Sequence, residues 1–174
     1  DIYKLHLRKV RFFEGSLSSI LRIGIPAGLQ AAMYSLSNII IQTALNALGT
    51  DTVAAWTSFG KMDAFCWMVI SAFGISATTF VGQNYGAGKY DRVRKSVRVC
   101  LGMTLASSIT MSIFLMTAGK YLFHLFTSDP EVIRIGIQIL NYMAPAYALF
   151  VFIEIYSGAL RGIGDVIIPT IMTC

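Results

Sequence analysis

Three charged side chains lie inside stretches that are otherwise long and apolar enough to cross a lipid bilayer. Lys61 and Asp63 interrupt the apolar run 52–88, and Glu154 is the only charge in the run 135–160. A charge at mid-membrane costs about 2.5 to 3.5 kcal/mol on the insertion scale, so a partner, water or a function must offset it. Carboxylates in such places can bind a proton, a sodium ion or a cationic solute. We therefore take these three residues as candidates for ion coupling or substrate binding.

Two interpretations of these charges stay open. The structural interpretation is a buried ion pair between spans, for instance Lys61 with Glu154. Lys61 and Asp63 cannot simply face each other, because they are about 200° apart on one helix. The functional one is a carboxylate, Asp63 or Glu154, that exchanges a proton or holds a sodium ion as access alternates between the two sides. Burial favours the neutral acid and a nearby lysine favours the charged one, so such a carboxylate can load and release a proton.

A stripe of polar side chains follows the first apolar stretch. Its members recur every fourth residue, and at 100° per residue each step advances by about 40°, so they form one slowly winding line about 24 Å long. Such a stripe either lines a water-filled substrate cavity or joins neighbouring helices through hydrogen bonds of about 0.6 kcal/mol each. Its length favours the cavity, and the aromatic Trp67 is a further lining candidate. The stripe consists of Gln30, Tyr34, Asn38, Gln42 and Asn46.

The composition indicates the elements that must position these residues. Of 174 residues, 55% are hydrophobic and 13% charged, whereas a soluble domain carries about a quarter charged residues. The predicted fold is an all-α, polytopic transmembrane bundle in which Pro26 and Pro145 break or kink their helices. The chain starts with Asp1, so we expect a fragment. The predicted segments are a basic connector or interfacial helix at 1–22, spans at about 23–48, 54–82, 99–123 and 135–160, and the start of a fifth span at 166–174.

The distribution of basic residues predicts the orientation in the membrane. One set of alternate loops carries eleven of them and the other set only two, Lys120 and Arg134. Because cytoplasmic loops carry the Lys/Arg excess, we expect residues 1–22 and 83–98 to be cytoplasmic. No aromatic interleaving of the kind that stacks bases accompanies the charges, so we expect contacts with lipid headgroups and no nucleic acid. The eleven are Lys4, Arg8, Lys9, Arg11, Arg22, Lys89, Arg92, Arg94, Lys95, Arg98 and Arg161.

Nucleotide binding and catalysis lack support in the sequence. The glycine-rich loop 82–89 has Gln83 where a P-loop needs glycine and Tyr90 where it needs serine or threonine, so a tight turn after a helix explains it better. The two histidines, His6 and His124, are far apart in the sequence. We therefore expect neither a cofactor nor an enzyme.

Three runs of residues resemble the multidrug and toxic compound extrusion (MATE) transporters. They come in the family's order, each at the predicted cytoplasmic end of a span. By this resemblance the chain is part of the second lobe of a twelve-helix transporter, lacks the N-terminal lobe, and has residues 1–22 as the link between lobes. The family exports organic cations from the cell by exchange with protons or sodium ions, which implies the plasma membrane, the inner membrane in bacteria. The runs are Gly24–Gln30 (GIPAGLQ), Thr79–Gly88 (TFVGQNYGAG) and Ser157–Gly162 (SGALRG).

This chain departs from the family pattern at acidic positions. Some members carry an acid in the first span of this lobe, where Tyr34 stands here, and another two turns before the last motif, where Phe150 stands. Asp63 and Glu154 are then the carboxylates available for a proton or sodium site within the predicted spans. The alternatives to an antiporter are a lipid-linked oligosaccharide flippase of the same superfamily, a membrane enzyme and a scaffold subunit.

Overall fold

The computed structural model describes residues 14–173, and within that range every regular element is a helix. This confirms the predicted all-α membrane bundle. The sequence of elements is a long helical hairpin, a third long helix, a pair of shorter helices and a short terminal one. Their bounds are α1 (Glu14–Ala47), α2 (Thr50–Gly86), α3 (Tyr90–His124), α4 (Pro130–Met143), α5 (Ala146–Gly162) and α6 (Ile167–Thr173).

Within the described range, α2 and α3 are each long and apolar enough to cross a membrane, and α4 with α5 would make a third crossing if the bent pair is one span. α2 has 37 residues and α3 has 35, longer than the roughly 20 that the hydrocarbon core requires. α1 falls outside this set despite its 34 residues, because its polar stripe lowers its hydropathy. The first predicted span therefore stays a prediction.

The helices extend beyond the predicted spans. Residues 14–22, which the sequence assigned to the connector, form the first part of α1. Residues 1–13 lie outside the described range. The predicted cytoplasmic loop 83–98 is mostly helical, and its turn is limited to residues 87–89. The charges that set the predicted limits do not mark the ends of helices. An α-helix can continue past such a charge, because its backbone hydrogen bonds are made within the helix.

Glycines in the left-handed region form the turns at the predicted cytoplasmic side. After α2, Gly88 has φ +69° and the N–H of Lys89 donates to the carbonyl of Asn84 at 2.8 Å. The same closure follows α5, where Gly164 has φ +89° and the N–H of Asp165 donates to Leu160 at 3.0 Å. Both are Schellman motifs, which satisfy the last carbonyls of a helix. The glycine turn expected in place of a P-loop is thus present after α2.

The break predicted at Pro145 divides the fourth span into α4 and α5, which are bent by 49°. Proline has no N–H to donate, so the break frees backbone acceptors. The Ser112 hydroxyl of α3 donates to the Ala144 carbonyl at 2.9 Å within the buried interior. α1, in contrast, runs through Pro26 without interruption.

α2 is the centre of the bundle and packs against α3, α4 and α5, whereas α1 contacts only α2 and α6 among the described helices. The core along α2 and α5 includes fully buried Phe59, Ile70 and Ile155. Large apolar side chains such as Phe65 and Met68 are exposed on the outside of the bundle. Such a surface suits contact with lipid or with further helices.

Candidate functional site

Asp63 lies half-buried in α2 and has a partner on another helix. Its Oδ1 atom accepts a hydrogen bond from the hydroxyl of Tyr147, which is only 4% exposed. Trp67 lies one turn further along α2, on the same side of the helix as Asp63. The Trp67 ring packs edge-on against Phe150, with ring centroids 4.8 Å apart. Asp63 thus sits in a small aromatic niche between α2 and α5, which we call the Asp63 niche (Asp63, Trp67, Tyr147 and Phe150).

Local sequence and the break together form this niche. Asp63 and Trp67 are four residues apart, so they share a face of α2. Tyr147 and Phe150 lie in the first five residues of α5, directly after the interruption at Pro145. The bend therefore places Tyr147 beside the acid, and the buried Ser112–Ala144 hydrogen bond is close to that bend. Tyr147 was not among the sequence candidates, and its position after the proline was the available signal.

Lys61 does not join either carboxylate. It is exposed, and its Nζ atom lies 5.2 Å from the ring centroid of Phe126, a cation–π distance. Glu154 lies against Gly74, which is thirteen residues, or about 20 Å, further along α2. The structure therefore does not contain the ion pair between Lys61 and Glu154 that the sequence left open.

Glu154 is half-buried where α5 crosses α2 closely. Its Oε1 atom lies 2.6 Å from the position that a Cβ on Gly74 would occupy, so the carboxylate rests directly on the backbone of α2. Gly74 is eleven residues beyond Asp63, or about 16 Å along the helix. The two acids therefore lie on the same α2–α5 interface at different depths.

Small residues continue this interface towards the end of α5. A Cβ on Gly158 would be 2.6 Å from the Gly74 carbonyl oxygen, and one on Gly162 would be 2.6 Å from the Thr78 carbonyl oxygen. The Thr78 hydroxyl donates to the Gly158 carbonyl at 2.8 Å. Small residues spaced by four let two membrane helices approach closely. We call this the glycine contact (Gly74, Thr78, Gly82, Gly158 and Gly162); it explains Gly82 of the second motif and both glycines of the third motif as packing.

The polar stripe of α1 is mainly exposed in this chain. Tyr34 is 62% exposed, and the Gln42 amide donates to Asn46 at 3.0 Å within the stripe itself. Asn38 is exposed as well, whereas Gln30 is half-buried and has a partner. Among the described helices, α1 contacts only α2 and α6. The assignment of the stripe as a cavity wall stays a prediction.

Few groups around Asp63 could hold a metal ion. The oxygen donors at the niche are the Asp63 carboxylate and the Tyr147 hydroxyl. Within residues 14–173, no three His, Cys, Asp or Glu side chains come together as a metal-binding group. Whether the niche binds a proton or a sodium ion stays a prediction.

The fold and the site define a polytopic helical membrane protein with a carboxylate held between its helices. The MatE family model matches residues 26–174, which is most of the chain. The chain therefore belongs to the MatE family, in agreement with the resemblance found in the three sequence runs.

Several relatives carry names of drug transporters. The chain is 26% identical to the probable multidrug resistance protein YoeA of Bacillus subtilis, covering 95% of this chain and 36% of that protein. It is also 26% identical to the probable multidrug resistance protein NorM of Thermotoga maritima, over 91% of this chain and 34% of the relative. The human multidrug and toxin extrusion protein 1 is 26% identical over 85% of this chain and 26% of its own length. The chain thus spans about a third of the length of these relatives.

Solved structures show the same fold. A MOP superfamily transporter from Pyrococcus furiosus superposes with a TM-score of 0.84 at 20% identity, over 89% of this chain and 34% of that one. A MATE structure in complex with MaL6 gives a TM-score of 0.85 at the same identity and coverage. At this identity the likeness concerns the fold alone, which supports a multi-pass membrane protein.

Proposed function

We propose that this chain forms part of a secondary antiporter that exports organic cations in exchange for protons or sodium ions by alternating access. Membership of the MatE family and relatives named for multidrug resistance and extrusion support this proposal. The observation that carries it is the half-buried Asp63 with its Tyr147 partner beside a broken helix. A carboxylate in such a place can exchange a bound proton for a cation when the helices beside it move.

Asp63 is the principal coupling residue in this proposal. Its partners are side chains, which can rotate away when an ion or solute approaches. Glu154 has a smaller role because its carboxylate is packed against the backbone at Gly74. Lys61, exposed beside Phe126, provides a positive charge at the same depth of α2 but does not bind the acid. In the complete transporter, the polar stripe of α1 would line the cavity together with the N-terminal lobe.

The proposed location is the plasma membrane, the inner membrane in bacteria, with residues 1–22 and 83–98 on the cytoplasmic side. The basic residues in these segments support this orientation. The proposed partners are the lipid bilayer, organic cations and the N-terminal lobe. A flippase of lipid-linked oligosaccharides remains the alternative function, and it predicts no exchange of soluble cations.

Uptake of a fluorescent organic cation into vesicles that contain the full-length protein tests the proposal. We expect uptake that depends on an imposed pH or sodium gradient, and we expect Asp63→Asn to abolish that dependence. Asp51→Asn is the matched control, because Asp51 is exposed in the first turn of the same helix. Gradient-driven uptake by Asp63→Asn equal to that of Asp51→Asn would remove the coupling role. A protein that moves no cation under either gradient would favour the flippase.

A further inference from the structure

An open groove of about 700 Å³ runs between α2 and α3 near the predicted cytoplasmic side. Its walls are largely apolar and include Phe73 and Phe80 of α2 and Val99 and Met103 of α3. Three of these four side chains are about half exposed, so the groove is open along its length. Neither the Asp63 niche nor the glycine contact shares a residue with it.

The groove has a positive end. Its lining residues all belong to the described part of the chain, and the charged ones are Arg92 and Lys95 in the first two turns of α3. Both are exposed, and neither forms an ion pair within the described residues. Their charges are therefore available to an anion at this end.

The spacing along α3 separates charge from apolar surface. Arg92, Lys95, Val99 and Met103 follow one another at three or four residues, so they share one face of the helix. From Arg92 to Met103 this face extends about 16 Å towards the membrane interior. An occupant must therefore be anionic at one end and apolar along the rest of its length.

We propose that this groove binds an anionic phospholipid of the cytoplasmic leaflet. The phosphate lies against Arg92 and Lys95, and an acyl chain runs along Phe80 and Val99 towards Met103. Basic residues at the cytoplasmic ends of membrane helices attract anionic headgroups, which supplies the charge complementarity. The positive end disfavours an organic cation, so the groove is distinct from the proposed transport path. Lipid binding here does not depend on which ion drives transport.

Lipid retention by the full-length protein tests this site. The purified protein is incubated with phosphatidylglycerol or with phosphatidylcholine, which has no net charge, and native mass spectrometry counts the lipids that remain bound. We expect preferential retention of phosphatidylglycerol. The double substitution R92Q/K95Q should weaken that retention about tenfold, since each basic residue near the surface contributes a several-fold effect.

A matched pair of charges on the other side of α3 provides the control. Arg94 and Arg98 line a separate groove with α5, so R94Q/R98Q removes the same charge and should retain phosphatidylglycerol at this site. Ser76→Trp fills the groove without changing its charge, because Ser76 is one of its lining residues, and it should also reduce retention. The thermal midpoint confirms that each variant is folded.

Three results would overturn the proposal. The first is equal loss of phosphatidylglycerol from both charge pairs, which indicates general attraction to a basic surface. The second is retention by R92Q/K95Q that matches the unsubstituted protein. The third is a sharp fall in the thermal midpoint of Ser76→Trp without any change in lipid retention, which indicates that another helix of the full-length protein occupies the groove.

Discussion

Asp63 and Glu154 are both acids on the α2–α5 interface, but their surroundings differ in kind. Asp63 meets a side chain, the Tyr147 hydroxyl, beside a break in the helix. Glu154 meets the backbone of α2 at Gly74, where the helices are as close as small residues allow. The contact between Asp63 and Tyr147 can open and close by rotation of side chains, whereas the close approach of the two backbones beside Glu154 is fixed by the fold. The comparison therefore favours a functional role for the Asp63 niche and a structural role for the glycine contact.

The largest effect is expected where the two backbones meet. In Gly158→Leu the new side chain would begin 2.6 Å from the Gly74 carbonyl oxygen, which belongs to the backbone and has nowhere to move. Overpacking costs about 1–3 kcal/mol or more, so we expect little folded protein. The yield of monodisperse full-length protein in detergent and its thermal midpoint measure this effect.

Gly102→Leu is the control for this substitution. Gly102 lies within α3, and no atom would be within 4 Å of a Cβ added there. It should therefore fold at nearly the normal yield. Equal yields of the Gly158 and Gly102 variants would show that the helices do not approach as closely as described.

The next effect concerns the partner of Asp63. Tyr147→Phe keeps the ring but removes the hydroxyl that donates to the carboxylate. A hydrogen bond to a charged group contributes about 1.5–3 kcal/mol, so we expect cation exchange to fall about tenfold while the protein remains folded. Vesicle uptake measures the exchange. Tyr156→Phe, at an exposed position on the same helix, should leave cation exchange unchanged. Equal exchange by the Tyr147 and Tyr156 variants would show that the Tyr147 hydroxyl has no special role.

A smaller effect is expected at Glu154. Gly74→Ala places a methyl group 2.6 Å from the Glu154 Oε1 atom, which is the far end of a flexible side chain and can swing aside. Alanine also favours the helix by about 1 kcal/mol over glycine, so stability should change little. We expect Gly74→Ala and Glu154→Gln to lower exchange by no more than about threefold, the equivalent of one weak interhelical hydrogen bond.

Exchange assays of these two variants beside Asp63→Asn decide between the acids. Loss of exchange in Glu154→Gln that equals the loss in Asp63→Asn would show that the packed carboxylate is a coupling group as well. In that case the division between a functional and a structural acid would be wrong.

The smallest effects are expected from single interhelical hydrogen bonds. Ser112→Ala removes the bond to the Ala144 carbonyl, and Thr78→Val removes the bond to the Gly158 carbonyl. Each should cost about 0.6 kcal/mol of stability, seen as a small fall in the thermal midpoint. Ser112→Ala alone should also alter exchange, because it loosens the bend beside Tyr147. Thr110→Val is the control, since its hydroxyl bonds only within its own helix. If Thr78→Val changed cation exchange and Ser112→Ala did not, the functional role would belong to the glycine contact and not to the Asp63 niche.

Much of the fold followed from local patterns in the sequence. Charge-poor stretches predicted the helices, and the missing N–H of Pro145 predicted the break. The helices extend beyond the predicted spans, because residues 14–22 are already helical and α3 begins at Tyr90. The end of a helix depends on turn residues such as Gly88, and not on the charges beside it.

The candidate site was only partly predictable. Asp63 and Glu154 stood out because a charge within an apolar stretch is costly. Tyr147 did not, since it is one of many aromatic residues in an apolar segment and only its position two residues after Pro145 sets it apart. The pairing of Lys61 with Glu154, which the sequence left open, is absent because opposite charge alone does not decide which helices meet, or at what depth.

The sequence by itself determined that the chain lies in a lipid bilayer and that its fold is all-α. It also determined that acidic residues lie within the apolar segments. These depend on properties that are read along one helix: its length, its apolar content and its isolated charges. Only the tertiary structure decided that α2 and α5 run side by side, so that Asp63 meets a hydroxyl 84 positions away and Glu154 meets a backbone. The physical reason is that close approach depends on small residues facing each other across two helices, and that match exists only once both are packed.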